Sequence, residues 1–346
     1  MAHGEVRTVG PRPGLHCRHA LFRRLLAGLA LLFASASSEA ATVLKIGTLA
    51  PQDSPWGKEF KAWAAAVAAD TGGDVTLDFA WNGQAGDEKL MVEKIRSGQL
   101  DGAAVTAIGL GQTGVMDVLA FQLPGLFTSW SKIDHARDVV RDELAREFEA
   151  KGFTLLGWGD VGAAKTMSIG FEVRTPHDLQ GKGVFTIPGD PITPAVFAGI
   201  GGLTPRSLAV PEILSHLGTD VNVLTVPPLV AEQLQWASRV THINTTTTAF
   251  GIGGLIMSAS RLKGLTEAQR TPFLTRGQTV NDKLSRTIRN LDAQAFARMK
   301  ASKSAYEPTE AEKEQWRPVF EGVAKQMCGP VIRADFCKEV IDAARQ

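Results

Sequence analysis

The chain has 346 residues, with 37 Lys and Arg against 36 Asp and Glu, for a formal net charge of +1. A balance this even argues against a nucleic-acid or anionic-membrane partner, both of which call for a strongly basic surface. The length points to two domains once a leader segment is set aside.

That leader is residues 1–40. Arg18, Arg23 and Arg24 precede a short apolar run, Leu25 to Ala34, and small residues follow, ending Ser38-Glu39-Ala40. The order reads as a secretory signal peptide cut after Ala40, which predicts a periplasmic protein. The run is about half of the roughly 20 residues that span a bilayer, so it does not read as a lasting anchor. The pair Arg23-Arg24 leaves Sec and twin-arginine export both open. Cys17 precedes the apolar run and is not placed as a lipoprotein cysteine. The leader carries five basic and two acidic residues, so 32 basic and 34 acidic remain beyond it.

The following chain alternates strand and helix. Val43–Ile46 reads as a strand. Pro55 opens a helix in which Trp56, Phe60, Trp63 and Val67 recur at helical spacing, and Gly72-Gly73 ends it. Val75–Phe79 is a second strand, Asp87–Ser97 a helix closed by Gly98, and Ala103–Ala107 a third strand. A helix over Asp134–Ala150 and a strand over Phe153–Trp158 complete an α/β block with a largely parallel sheet. A second block starts near Met167. Its strands are Val184–Ile187, Val221–Leu224 and Thr241–Ile243; its helices lie near Thr193–Gly199, Pro211–Leu217 and Leu229–Ser238. Thr245–Thr248 resembles a linker, and Gly251–Ser258 returns as an apolar strand.

Thr266 with Gln269 forms a capping box. From there to about Lys303, Phe273, Val280, Leu284, Ile288 and Leu291 keep helical spacing. A helix near 35 residues is about 50 Å long. That exceeds one domain's width, so it should bridge two. Thr309 and Glu312 form a second capping box, ahead of Trp316, Phe320 and Val323. Cys328 and Cys337, in an exported chain, are expected to form a disulfide that pins the tail. No histidine lies near them to suggest zinc.

Most chemical motifs fail on inspection. Gly109 to Gly114 matches G-x-G-x-x-G, but it follows the third strand and Pro124 interrupts soon after, so a loop is expected rather than a dinucleotide site. The four histidines beyond the leader, His135, His177, His216 and His242, are scattered singly. No nucleophile, base and orienting group assemble into a catalytic set, and no metal or cofactor is expected. Asp87-Glu88 reads as a complement to a helix dipole. The Trp and Phe stripes read as core. Trp81 is the exception, since it follows a strand and precedes the turn Asn82-Gly83-Gln84-Ala85-Gly86, where parallel strands aim residues into a ligand crevice.

Four stretches together resemble the solute-binding subunits of tripartite ATP-independent periplasmic (TRAP) transporters, the DctP-like family. They are Trp81-Asn82-Gly83-Gln84-Ala85-Gly86-Asp87-Glu88 running on to Lys94–Gly102; Phe121-Gln122-Leu123-Pro124-Gly125-Leu126-Phe127; Pro176-His177-Asp178-Leu179-Gln180-Gly181-Lys182; and Pro205 through Glu212 to Leu217. Their order fits across nearly all of residues 43–345. The resemblance implies a two-lobed α/β solute-binding fold joined by crossing strands and the long bridging helix. It also implies a small molecule held in the cleft, lobes that close over it, and delivery to a membrane permease driven by an ion gradient. Residues 41–165 with about 250–285 would form lobe I, and 166–249 with about 286–346 lobe II. A receptor of the ATP-driven type, an interaction protein on the same fold and a periplasmic enzyme are the competing readings.

The departures from the family pattern carry information. Where the resemblance places a carboxylate-gripping arginine after Asp-Leu-x-Gly, this chain has Phe185. Where it places an earlier arginine, the chain has Lys165. A phenylalanine cannot hydrogen-bond a carboxylate, so a larger or more apolar ligand than an organic acid is expected. The segment Val226-Pro227-Pro228-Leu229 with Gln235-Trp236 is similar to the branch that works with a tetratricopeptide-repeat lipoprotein. The ligand contacts expected on this reading are Leu49, Trp81, Thr106, Lys165, Phe185, Arg206, Asn222, Thr225 and Pro227.

Overall fold

In a computed structural model, residues 1–5, 7–10 and 41–346 are described; the leader reading, with Cys17, falls largely outside them. Residues 41–346 form one compact unit. Among the described residues no helix is long and apolar enough to cross a membrane.

The unit is built on a mixed sheet. Strand β1 (Thr42–Thr48) pairs in parallel with β2 (Val75–Ala80) and β3 (Gly102–Thr106). In the main sheet the parallel expectation holds for this edge and for the short pairing of β9 (Ser304–Tyr306) with the start of β8 (His242–Ser258). Next to β3 the sheet turns antiparallel, through β8 to β4 (Phe153–Ser168) and β7 (Val223–Val226). Between these strands lie α1 (Pro55–Asp70), α2 (Glu88–Arg96), α3 (Ala107–Gln112) and α4 (Trp130–Ala150), then β5 (Gly183–Thr186), α5 (Ile192–Ile200), β6 (Thr204–Ser207), α6 (Ile213–His216) and α7 (Pro228–Gln233). Strands β5 and β6 form a small parallel pair, tied to the start of β7 by Asn222 N–H donating to Gly183 O at 2.8 Å.

Strands β4 and β8 correct the sequence reading. The sequence predicts only Phe153–Trp158 of the first and the two ends, Thr241–Ile243 and Gly251–Ser258, of the second, but they run 16 and 17 residues and pair from Phe153↔Ser258 to Ser168↔His242. The threonine run Thr245–Thr248 is the middle of β8, not a linker. Strand β8 pairs with β3 of the first lobe over Gly253–Met257 and β4 with β7 of the second over Lys165–Ser168, so the paired strands are the crossing connection. Register shifts break their pairing at Leu155/Gly157, Asp160/Gly162, Ala164/Lys165 and Lys165/Met167. Each irregularity re-aims the side chains that follow it.

After the short α8 (Ala259–Lys263), helix α9 (Glu267–Ser302) has 36 residues and is about 54 Å long. The Thr266–Gln269 capping box opens it as expected. Its first half packs on the first lobe, with the Phe273 ring 5.2 Å from Trp63. Its second half binds the other lobe, where Arg298 makes a two-pronged ion pair with Glu232. Between them Asp292 accepts from Ala163 N–H on β4 at 2.8 Å and from Leu229 N–H on α7 at 3.0 Å. Gly162 (φ +136°) sits against this joint, where a Cβ would stand 2.6 Å from the Asp292 carboxyl carbon.

The tail comprises β9 (Ser304–Tyr306), α10 (Glu310–Glu314), α11 (Arg317–Met327) and α12 (Ala334–Arg345). It does not stay with the second lobe. Helix α11 packs on α5, whereas α12 lies on α4, with Lys132 Nζ donating to Ala344 O at 2.8 Å and Arg333 paired with Asp117, Glu143 and Glu147. Cys328 and Cys337 are joined by a disulfide between these two helices.

Candidate functional site

A cavity of about 280 Å³ lies where the lobes face each other. On the first-lobe side, β1 ends at Thr48 and the chain turns through Leu49-Ala50-Pro51 into α1, capped by Ser54. The first turns of α1 present Trp56 and Phe60 to the cavity, and Trp56 Nε1–H donates to Asp160 O on β4 at 3.2 Å. Phe60 stacks on Phe79 at 5.6 Å, and Phe79 on Trp81 at 4.7 Å. Trp81, singled out from the sequence as a crevice residue, does not line the cavity. It stands behind the aromatic layer that does.

At the end of β3, Thr106 lines the cavity and starts α3. The segment Gly109–Gln112, expected as a loop, is in this short helix. Donors at its start are engaged: the Glu88 carboxylate accepts from Thr106 N–H (2.7 Å), Thr106 Oγ1–H (2.7 Å) and Gly109 N–H (2.9 Å), and Thr106 Oγ1 accepts from Ile108 N–H (3.3 Å). A helix start that satisfies its donors with an internal carboxylate has no place for a phosphate. Glu88 is 4% exposed, and burial pushes its carboxyl above the usual range, against the pull of these three bonds. Asp87, its neighbour, is the ordinary N-cap of α2, accepting from Leu90 N–H at 2.8 Å.

The second lobe supplies Phe185, Ile187, Val226, Pro227, Val230 and Trp236; Phe185 and Trp236 meet edge to face at 6.1 Å. The back wall is β4 and β8, at Gly159–Val161 and Gly251–Leu255, with Asn281 and Leu284 from α9. The lobes touch at the rim: Gln112 Nε2–H donates to Gly189 O at 3.0 Å, and Pro211 lies over Gly83.

No Lys, Arg or His is among the residues that line this cavity. Lys165, expected to take over from the family arginine, is 7% exposed but turned to the α9 side of β4. Its Nζ donates to Thr245 O (2.8 Å) and Thr247 Oγ1 (2.6 Å) and lies 4.5 Å from the Phe296 ring centre. Burial lowers its pKa to about 8, partly opposed by Asp292. Arg206 is half exposed outside the cleft, paired with Asp220 at 3.1 Å. Asn222 contributes backbone bonds at the β5–β7 junction and lines neither chamber of the cleft. Thr225 lines a neighbouring cavity, 3.4 Å from the Thr166 hydroxyl. Leu49, Thr106, Phe185 and Pro227 are therefore brought together; Trp81, Lys165, Arg206 and Asn222 are not.

Sequence reasoning missed Trp56, Phe60, Glu88 and Asn281. The aromatic pair was absorbed into the core stripe of α1. Asn281 had a readable signal: it falls on the buried stripe of α9, four residues after Gly277, where a polar side chain is out of place. It is 2% exposed, and neither amide atom has a hydrogen-bond partner in the protein. Gly157 makes room for it, since a Cβ there would lie 2.6 Å from Asn281 Nδ2.

Known proteins share this framework. The family model described as "Bacterial extracellular solute-binding protein, family 7" matches residues 46–329. The solute-binding protein of Verminephrobacter eiseniae is 27% identical over 186 residues, 53% of this chain and 54% of that one. The C4-dicarboxylate-binding periplasmic protein DctP of Rhodobacter capsulatus is 26% identical over 180 residues, 52% of this chain and 53% of that one. An uncharacterized protein, y4mM of Sinorhizobium fredii, is 31% identical over 183 residues, 52% of this chain but 33% of its own. The matches thus span from a third to little over half of these relatives' length. Among solved structures, the sugar acid binding protein DctPAm from Advenella mimigardefordensis, in complex with galactonate, has a TM-score of 0.81 at 18% identity, covering 88% of this chain and 98% of that one. A TRAP periplasmic solute-binding protein from Ralstonia eutropha with bound (S)-2-acetolactate has a TM-score of 0.81 at 20% identity, with the same coverage. At these identities the structural likeness establishes the two-lobed fold. The family match, over most of the chain, establishes more: this protein belongs to family 7 of the bacterial extracellular solute-binding proteins.

Proposed function

We propose that the chain is the periplasmic solute-binding subunit of a TRAP transporter, and that it captures an uncharged, largely apolar solute and presents it to a membrane permease. The family supports the binding role. The cation-free cavity carries the choice of solute. A carboxylate closed inside it would lose water without gaining a partner, at a cost of several kcal/mol. Glu88 adds a buried acid to the same space. The galactonate and acetolactate of the related structures are anions, and this cavity offers them no counter-charge. The permease partner follows from the family; a tetratricopeptide-repeat lipoprotein partner rests only on the likeness of Val226–Leu229 and Gln235-Trp236.

The test is a thermal-shift screen of C4 dicarboxylates and keto acids against neutral aliphatic and aromatic compounds, alongside native mass spectrometry of protein purified from its own host. A shift with apolar compounds that Phe185→Arg removes is expected. Tight binding of a small dicarboxylate, lost in Lys165→Ala, would overturn the reading.

A further inference from the structure

A second cavity, of about 250 Å³, adjoins the first. The two share a stretch of wall. Ile108, Gln122, Phe185, Ile187, Val226 and Pro227 line both. They mark the neck where the two meet: Ile108 and Gln122 come from the first lobe, and Phe185, Ile187, Val226 and Pro227 from the second. The second chamber then runs between β5, β7 and α5, past Val196, and ends against Trp316 and Phe320 of the tail. That end is built firmly. Trp316 Nε1–H donates to Arg174 O at 3.1 Å, and the Phe320 ring packs on Gly125, where a Cβ would stand 2.7 Å from it.

The chemistry of the second chamber matches the first. No Lys, Arg or His lines it. Its one carboxylate, Asp190, is engaged at the start of α5, accepting from Ile192 N–H at 2.8 Å and Thr193 N–H at 3.2 Å. Glu88 is engaged in the same way at α3. The third acid of the lining, Asp160, is paired with Arg137 at 2.8 Å and Arg289 at 2.5 Å, so none of the three is free to bind a cationic group, and no base lines the space to bind an anionic one. What remains is a long, largely apolar space whose two chambers meet at Phe185, with the unpartnered Asn281 amide as a polar group in the first chamber. Either chamber alone is small for a ligand site, whereas the pair falls within the usual range of about 300–1,000 Å³.

From this geometry we infer that the solute is an elongated, uncharged molecule that passes the Phe185 neck and occupies both chambers, and that the second chamber sets its length. The inference rests on the apolar-solute reading above and adds the second chamber. Because the neck is made from both lobes, the solute must be in place before the lobes close.

The experiment is calorimetric titration of the whole secreted chain with straight-chain primary alcohols, from hexanol to dodecanol. The variants are Val196→Phe, which fills the second chamber without touching the first, and Phe320→Ala, which opens its far end. In the wild type, affinity should rise about fourfold per added methylene, the effect of burying one CH₂. In Val196→Phe that rise should stop at a shorter chain, with hexanol affinity unchanged, which also shows that the variant is folded. In Phe320→Ala it should extend to longer chains. An identical length dependence in all three proteins would confine the solute to the first chamber and overturn the inference while leaving the apolar-solute reading intact. Failure of every alcohol to bind any of the proteins would overturn both.

Discussion

The ammonium of Lys165 lies 4.5 Å from the centre of the Phe296 ring, and Lys165 is not among the residues that line the solute cavity. A family pattern would place a ligand-gripping cation near this position, yet here the side chain braces the crossing strand against α9. Its pKa is pushed down to about 8 by burial, from 10.5. The unfolded chain therefore holds more protons than the folded one between about pH 8 and pH 10.5. Stability should rise with pH across that window. The gain is on the order of 3 kcal/mol at most. Denaturant unfolding of the wild type and Lys165→Met at both ends of the window checks this; the variant should lack the rise.

Glu88 predicts the opposite slope at acid pH. Burial raises its folded pKa above that of an ordinary glutamate, so the folded state holds the proton longer. Its contribution to stability should fall as pH rises from the unfolded value through the folded one. Glu88→Gln should flatten that slope, read from unfolding midpoints across the acid range. The variant also leaves one fewer acceptor for the N–H groups of α3.

Asp292 holds β4 and α7 to the bridging helix through two backbone N–H groups. Asp292→Ala would leave both donors buried without partners and should cost about 3 kcal/mol. Asp292→Asn, which keeps one acceptor oxygen, should cost less. Chemical denaturation of both variants distinguishes this joint from simple packing, in which the two would behave alike.

The rim bond from Gln112 to Gly189 O spans the lobes and exists only when they meet. Gln112→Ala should speed solute release about fivefold, the equivalent of one ordinary hydrogen bond. Stopped-flow displacement measures it. Small-angle scattering should show the wild type compacting on binding, and an unchanged radius at saturation would contradict lobe closure.

The Cys328–Cys337 disulfide closes a loop of sequence separation nine at the base of α12. A loop this short stabilises by about 2.5 kcal/mol in the chain-entropy account. Alkylation without reductant should label neither cysteine, and Cys337→Ser should lower stability by about that amount without altering solute affinity.

The sequence by itself determined the parts governed by local chemistry. The capping box at Thr266–Gln269 and a three-to-four-residue apolar rhythm specify α9 without any neighbour. The cysteine pair specifies its own bond in an oxidising compartment. Phe185 in an arginine's place already foretells a cavity poor in charge. What only the tertiary structure decided depends on register and on distant partners. Lys165 sits between two pairing shifts of β4, so strict alternation along the strand could not say which face it takes. The length of β4 and β8 was hidden because their middles, rich in glycine and threonine, lack the apolar pattern of a strand and are held instead by each other. Glu88 reads as a helix-start acid until α3 folds 21 residues away and offers its N–H groups. The two chambers exist only because β5, β7, α5 and the tail converge on Phe185 and Pro227, and no local window of sequence contains that meeting.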